Sequence, residues 1–277
     1  MDIGTDKLPE AQRMVPHRLI DVCDPGQPFS AQQFQCAARQ AFRELEDSGK
    51  PAVLCGGTGL YVQAALEDMR FPKGDQLDNP VRQRWEAYCK KHGSQELWNQ
   101  LAARDMRSAA LVHPNNVKRV IRALEMHEEG VSYADQSANM KSLPEVVPSV
   151  RFGLMRDRET LYRRIEARVD AMFEAGLVEE VSRLLDAGLR QALTANQAIG
   201  YKEVVACLDG ECSLADAAEA MKMATRRYAK RQISWFKRDR RIIWLDADLL
   251  ATEDMASIIK KEFNTRLQGK QGTPNAL

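Results

Sequence analysis

The chain has 277 residues and a formal net charge of +1, and 44% of its residues are hydrophobic and 29% charged. This length and composition are typical of a globular protein with a substantial core. No apolar run reaches about 18 residues and the first residues do not resemble a secretory leader, so we expect a cytoplasmic protein without a membrane partner. The six cysteines and four histidines are scattered, which argues against a zinc site or a disulfide framework.

The first part of the chain predicts alternating strands and helices. Arg18–Val22 is typical of a short strand, and Ser30 with Gln33 forms a capping-box pattern at the start of a helix. Ala52–Cys55 predicts a second buried strand, and the G-G-T-G segment (56–59) leads into another helix. Strands and helices that alternate at this spacing predict an α/β fold with a parallel sheet.

The middle part, residues 73–147, predicts a helical insertion with no clear strand. Its candidate core residues are large and apolar: Trp85, Tyr88, Leu97, Trp98 and Leu101. We therefore expect an α/β core formed by residues 1–72 and 148–266, the insertion at 73–147, and a flexible polar tail at 267–277.

The α/β pattern resumes after the insertion. Arg151–Met155 and Ile242–Leu245 predict strands. Long helical patterns run over 158–187, where Gly188 is the expected stop, and over 214–238.

The G-G-T-G-L-Y segment (56–61) is the first candidate site. A glycine-rich turn between a strand and a helix can bring backbone amides close to an anion. The segment is not a Walker A loop, and G-x-x-x-x-G-K-[ST] occurs nowhere in the sequence. From the residues alone, the segment is more typical of a tight turn without a ligand than of a phosphate site.

Two basic helices are candidate nucleic-acid surfaces. Within residues 113–125, Lys118 and Arg122 lie four positions apart beside Arg119, where they can hold phosphates or form an ordinary solvated face. Residues 225–237 interleave basic and aromatic side chains, which can stack on unpaired bases or pack in a core. The short Q-A-I-G-Y-K segment (197–202) does not by itself predict a function.

Together these segments resemble the bacterial tRNA dimethylallyltransferase (tRNA isopentenyltransferase) family, from residue 1 to about residue 245. One matching motif would be weak, but several in family order are specific. The matching motifs are M-D-I-G-T (1–5), P-H-R-L-I-D (16–21), D-P (24–25), F-S-A (29–31), G-G-T-G-L-Y (56–61), H-P-N…R…R-A-L-E (113–125), I-G-Y-K (199–202) and K-R-Q-x-x-W (230–235).

The resemblance implies a P-loop-kinase-like parallel sheet core with a helical insertion domain that grips the tRNA anticodon stem-loop. It implies transfer of a dimethylallyl group from dimethylallyl diphosphate to N6 of the adenine on the 3′ side of the anticodon, with Mg²⁺ as cofactor. We expect a monomer. Two alternatives remain open, a catalytically inactive tRNA-binding remnant and an adenylate isopentenyltransferase that acts on a free nucleotide.

The resemblance also assigns residues. Thr58 matches the threonine of the reaction channel, and Arg168 matches the arginine that contacts the diphosphate, so both are predicted catalytic residues. Lys202 stands where the family often has arginine, and a lysine lacks the bidentate fork. The residues that match tRNA-facing stretches are Arg82, Lys118, Arg119, Arg122, Gln197, Gly200, Tyr201, Lys202, Lys230, Arg231, Gln232 and Lys237.

This sequence departs from the family pattern at its beginning. Family members start with a strand, a P-loop of the form G-P-T-A/G-S-G-K-S/T, a helix and a D-S-x-Q-x-Y segment, and M-D-I-G-T follows these. The resemblance therefore implies that the first strand, the P-loop, the Mg²⁺ ligands and the general-base aspartate are absent from these 277 residues. We expect little transferase activity and reduced stability from this chain alone.

Overall fold

The structure is a computed structural model that describes residues 1–71, 79–140, 143–192 and 194–271, with side chains described up to residue 266. The chain divides into two compact units. Unit 1 comprises Met1–Ala65 and Pro148–Leu277, and unit 2 comprises Leu66–Val147. Within the described ranges, no helix is long and apolar enough to cross a membrane.

Unit 1 begins with irregular chain and continues with helices α1 (Ala31–Asp47) and α2 (Gly59–Leu66). The capping box predicted at the start of α1 is confirmed, because Ser30 and Gln33 each bond the backbone amide of the other. The ring of Phe34 on α1 stacks on Tyr61 of α2, with centroids 4.5 Å apart. This contact pairs the helix predicted from Ser30 with the helix that follows the G-G-T-G segment.

The sheet of unit 1 consists, within the described residues, of strands β1 (Arg151–Met155) and β2 (Ile242–Asp246). They run parallel, and Gly153 lies opposite Trp244 at the centre of the pair. Both strands were predicted. The helices within residues 158–236 form the crossover between them, as a parallel pair requires.

The predictions of strands at Arg18–Val22 and Ala52–Cys55 are wrong for this structure. Arg18–Val22 forms bends, and the positive φ angles of Leu19 (61°) and Asp21 (55°) break an extended conformation. Ala52–Cys55 has no regular structure, and Val53 is 89% exposed. A strand needs a neighbour to pair its backbone groups, and no described segment pairs with either stretch.

The helical pattern over 158–187 forms two helices, α8 (Arg158–Glu174) and α9 (Leu177–Asp186). Gly176 has a φ of 95°, a left-handed conformation that ends the first helix and starts the second. Helices α10 (Tyr201–Leu208), α11 (Leu214–Phe236) and α12 (Thr252–Gln271) follow. Helix α12 continues to residue 271, inside the segment predicted as a tail (267–277), and residues 272–277 lie outside the described residues.

Helices α8 to α11 enclose the main core of unit 1. Apolar side chains of α8, α9 and α11 meet there, and Tyr201 of α10 is the largest fully buried side chain. The buried members of this core are Val169, Met172, Leu177, Val181, Leu189, Tyr201, Val204 and Met221.

Unit 2 contains helices α3 (Pro80–His92), α4 (Ser94–Arg104), α5 (Met106–Ala109), α6 (Val117–Glu128) and α7 (Tyr133–Asn139). Its core confirms the predicted burial of Trp85, Leu97 and Leu101, whereas Tyr88 and Trp98 are partly buried against that core. The two ends of the unit pair as a short antiparallel bridge at Glu67 and Glu145. Because these buried side chains come from the helices of unit 2 and the loops between them, unit 2 has a core of its own.

Candidate active site

The G-G-T-G turn (56–59) lies directly before α2, with Thr58 at the last position before the helix. The Thr58 carbonyl accepts hydrogen bonds from the amides of Tyr61 and Val62, at 2.9 and 3.1 Å, which form the first turn of α2. The Thr58 side chain is exposed, and its hydroxyl bonds no group in the described part of the chain. This hydroxyl is available to a substrate.

Helix α11 contacts this turn through two side chains that lie three positions apart on one face, Gln232 and Trp235. The Nε2 atom of Gln232 donates a hydrogen bond to the Gly57 carbonyl at 3.0 Å. A Cβ at Gly57 would lie 2.0 Å from that nitrogen, and a Cβ at Gly59 would lie 2.2 Å from the Trp235 ring. Glycine is therefore required at both positions while these side chains are in place.

Arg168, the predicted diphosphate ligand, lies on α8 and bonds Asp6 of the N-terminal segment at 3.1 Å. The two side chains are 52% and 60% exposed. Exposed ion pairs contribute little to stability, so the Arg168 guanidinium can exchange Asp6 for another anion at small cost. Within the described residues, no contact joins Arg168 to Thr58.

Glu180 of α9 holds the M-D-I-G-T segment. Its carboxylate accepts hydrogen bonds from the backbone amides of Asp2, Ile3 and Gly4, at 3.0, 2.8 and 3.4 Å. The Tyr201 hydroxyl donates a further bond at 2.5 Å. Burial alone would raise the pKa of Glu180, but the bonds from Tyr201 and the three amides outweigh burial and lower the pKa below its ordinary value.

Tyr201 and Gly200 are therefore core residues, which corrects their prediction as tRNA contacts. Tyr201 has no exposed surface, and burial followed by its bond to Glu180 raises the pKa of its hydroxyl. Gly200 is buried as well. Neither residue presents a side chain to the surface, so the I-G-Y-K motif serves the fold at these two positions.

In unit 2, Arg82 and Arg122 converge on one buried acid, Glu125. Arg82 bonds both carboxylate oxygens, at 2.6 and 3.0 Å, and Arg122 adds a bond at 3.0 Å. Glu125 is 1% exposed and each arginine 25% exposed. Both arginines thus neutralise a carboxylate that burial would otherwise make costly.

The remaining predicted tRNA contacts are exposed, except Gln232, which is partly exposed and bonds the Gly57 carbonyl. Lys118 and Arg119 lie at the start of α6 in unit 2. In unit 1, the Arg231 guanidinium lies 5.8 Å from the centre of the Tyr228 ring. The predicted contacts of unit 1 that the structure leaves exposed are Gln197, Lys202, Lys230, Arg231 and Lys237.

Three acids were not predicted from the sequence as site residues: Glu180, Asp6, and Glu125, which ends the R-A-L-E motif. A signal existed for Glu180, because it lies three residues after Leu177 and four before Leu184, within the apolar stripe of α9. An acid on an apolar stripe indicates a buried carboxylate with partners. Asp6 offered no such signal, since its contact to Arg168 joins residues 162 positions apart.

The described residues contain no group of three or more His, Cys, Asp or Glu side chains that could hold a metal ion. Such a group is not needed for the Mg²⁺ that the resemblance implies, because Mg²⁺ is commonly held by substrate phosphates together with one or two protein oxygens. No step of the reaction proposed below passes through a metal.

Comparisons with known proteins agree with one another. A family model described as IPP transferase matches residues 1–239. The tRNA dimethylallyltransferase of Bacillus subtilis (strain 168) is 41% identical over 273 residues, which cover 98% of this chain and 85% of that protein.

Solved structures resemble the whole chain. The tRNA isopentenylpyrophosphate transferase of Bacillus halodurans has a TM-score of 0.67 at 37% identity, over 98% of this chain and 85% of that one. A eukaryotic dimethylallyltransferase acting on tRNA has a TM-score of 0.74 at 26% identity, over 95% of this chain and 69% of that one. This likeness confirms the predicted P-loop-kinase-like α/β fold class, and the chain belongs to the IPP transferase family.

Proposed function

We propose that this protein transfers a dimethylallyl group from dimethylallyl diphosphate to N6 of the adenine on the 3′ side of the anticodon in tRNA. The observation that carries the proposal is the 41% identity to a tRNA dimethylallyltransferase over 98% of the chain. The exposed hydroxyl of Thr58 and the exposed guanidinium of Arg168 supply groups that suit this chemistry.

In the proposed reaction, the N6 amine attacks the first allyl carbon, the bond from that carbon to the diphosphate oxygen breaks, and pyrophosphate leaves. The N6 proton passes to a general base. Arg168 would bind the diphosphate through its forked guanidinium and neutralise the charge that develops on the leaving group. The Thr58 hydroxyl would orient the substrate by a hydrogen bond.

We assign tRNA binding to exposed basic side chains. On α11, Lys230 and Arg231 lie on one exposed stretch, and Arg231 with Tyr228 provides flat groups suited to unpaired bases. In unit 2, Lys118 and Arg119 would contact the phosphates of the anticodon stem-loop. Gln197, Lys202 and Lys237 would add further contacts. One copy of the chain supplies all of these residues, and we propose a monomer as the working unit.

The test is incubation with Mg²⁺, labelled dimethylallyl diphosphate and unmodified tRNA. One arm uses the 277-residue chain, and a parallel arm uses the same chain preceded by a P-loop segment of the family form. The Bacillus subtilis relative is the positive control. We expect label at N6 of the adenine beside the anticodon, with more label in the extended arm.

Two substitutions on α8 test the role of Arg168. Arg168→Gln is expected to raise the KM for dimethylallyl diphosphate and lower kcat while tRNA affinity stays unchanged. Arg163→Gln is the matched control, because Arg163 is an exposed arginine of the same helix. In the labelling experiment, the proposed function is wrong if neither the 277-residue chain nor the extended chain labels tRNA while the Bacillus subtilis enzyme does. If the chain still binds tRNA in a salt-sensitive way without labelling it, the protein is a tRNA-binding protein.

A further inference from the structure

We infer that Gln232 and Trp235 of the K-R-Q-x-x-W motif (230–235) are positioning residues that hold the G-G-T-G turn and thereby place Thr58. The inference rests on the proposed function, because the role of Thr58 depends on it. It also reassigns Gln232, which the family resemblance gives to tRNA.

The first support is the hydrogen bond from Gln232 to the Gly57 carbonyl, 3.0 Å long. Gln232 is only partly exposed, whereas Lys230 and Arg231 beside it are exposed. Its amide donor is directed at the turn of its own chain. One N–H of this amide is thus used by the backbone of the turn, which leaves only the second N–H and Oε1 for any external group.

The second support is steric. Gly57 does not have a positive φ, so its backbone conformation alone would accept alanine. The Gln232 amide occupies the space of a side chain there, at 2.0 Å from the position of a Cβ, so alanine would force this end of Gln232 to move. The Trp235 ring excludes a side chain at Gly59 in the same way, at 2.2 Å. The two side chains thus pack closely against the backbone on both sides of Thr58.

The third support is that Thr58 has no other anchor near its hydroxyl. The hydroxyl bonds no group in the described ranges, and the Thr58 carbonyl starts α2 by accepting from Tyr61 and Val62. The position of the hydroxyl therefore depends on the backbone of the turn. A displacement of about 1 Å at a reacting group can reduce a rate about 100-fold.

The experiment compares three substitutions on α11. Gln232→Glu keeps the shape of the side chain but removes the donor to Gly57. Lys230→Ala removes a predicted phosphate contact, and Ser234→Ala is a neutral control because Ser234 is exposed and bonds only the Lys230 carbonyl. Each variant is measured for hydrogen exchange at the Tyr61 and Val62 amides, for tRNA affinity at several salt concentrations, and for kcat and KM of transfer.

We expect Gln232→Glu to speed exchange at Tyr61 and Val62 roughly tenfold or more. It should lower kcat roughly tenfold or more while the tRNA dissociation constant changes less than about twofold. Lys230→Ala should leave exchange unchanged, weaken tRNA binding and reduce the salt slope by about one. The inference is overturned if Gln232→Glu weakens tRNA binding and leaves exchange at α2 unchanged.

A double substitution separates this inference from the proposed function. Gly57→Ala should displace Gln232 and speed exchange at Tyr61, and adding Gln232→Ala should cause little further change because the contact is already lost. Additive effects would contradict the contact. The hydrogen-exchange measurements do not require transfer activity. If no label enters tRNA, the proposed function is contradicted, but hydrogen exchange at Tyr61 still shows whether Gln232 holds the turn.

Discussion

Buried carboxylates organise this protein at the scale of single residues. Glu180 and Glu125 are both almost fully buried, and each binds groups from distant parts of the chain. Glu180 joins α9 to the first residues and to α10, and Glu125 joins α6 to α3. A buried charge is tolerated only when it is paired or fully hydrogen-bonded, so each acid depends on its partners.

The pKa of Glu180 predicts an acid-sensitive contact. Because its pKa in the folded protein is lowered from 4.5, its contribution to stability is present above that value and is lost as the pH falls through the folded pKa. We expect Glu180→Gln to lower the free energy of unfolding at neutral pH and to flatten its decline below about pH 4.5. Urea unfolding at several pH values measures this.

Glu179→Gln serves as the control for that experiment, because Glu179 is the exposed neighbour of Glu180 on the same helix. The control should retain the acid dependence of the unsubstituted protein. An equally steep decline in Glu180→Gln would mean that other carboxyl groups cause the loss.

At the scale of elements, local signals predicted the helices and both observed strands, but they also predicted two strands that do not form. The helix α1 follows from Ser30 and Gln33, whose bonds involve only neighbouring residues. The break between α8 and α9 depends on Gly176, and glycine in a long helical pattern is an ambiguous signal. Ala52–Cys55 has the composition of a strand, but a strand also needs a paired neighbour, which composition cannot supply.

The N-cap of α1 gives a prediction for an element. Ser30→Ala removes the side chain that accepts the Gln33 amide, and should cost about 1 kcal/mol of unfolding free energy. Ser30→Gly should cost only about a few tenths of a kcal/mol, since glycine is tolerated at N-caps. Denaturant unfolding of both variants checks the difference, and equal losses would mean that the Ser30 hydroxyl does not cap the helix.

At the scale of the whole molecule, the chain has two separate cores, one in each unit. The sequence predicted a helical insertion over 73–147, and the compact unit begins seven residues earlier, at Leu66. Residues 66–71 carry no helical periodicity that could mark this boundary. The two predicted catalytic residues lie in unit 1. Only the family motifs could predict the role of Arg168, since by itself it is an ordinary exposed helix residue.

Because the two cores are separate, we expect a destabilising substitution in the core of unit 2 to leave the stability of unit 1 unchanged. Glu125→Ala removes the buried carboxylate that Arg82 and Arg122 share. It should destabilise unit 2 by about 2–3 kcal/mol, below the range for fully buried pairs since both arginines are partly exposed. Hydrogen exchange should rise in α3 and α6 and stay unchanged at Val169 and Val181. Glu129→Ala, at an exposed position, is the control.

The contact between Gln232 and Gly57 joins residues 175 positions apart in the sequence. Natural selection acts on such a pair jointly, because a side chain at position 57 would displace the Gln232 amide and break its bond to the Gly57 carbonyl. Relatives that carry alanine at the first position should therefore also differ at the second. A chimera that takes the G-G-T-G turn from a relative but keeps its own α11 would combine segments that did not evolve together. Such a chimera would need substitutions on α11 to restore the contact with the turn.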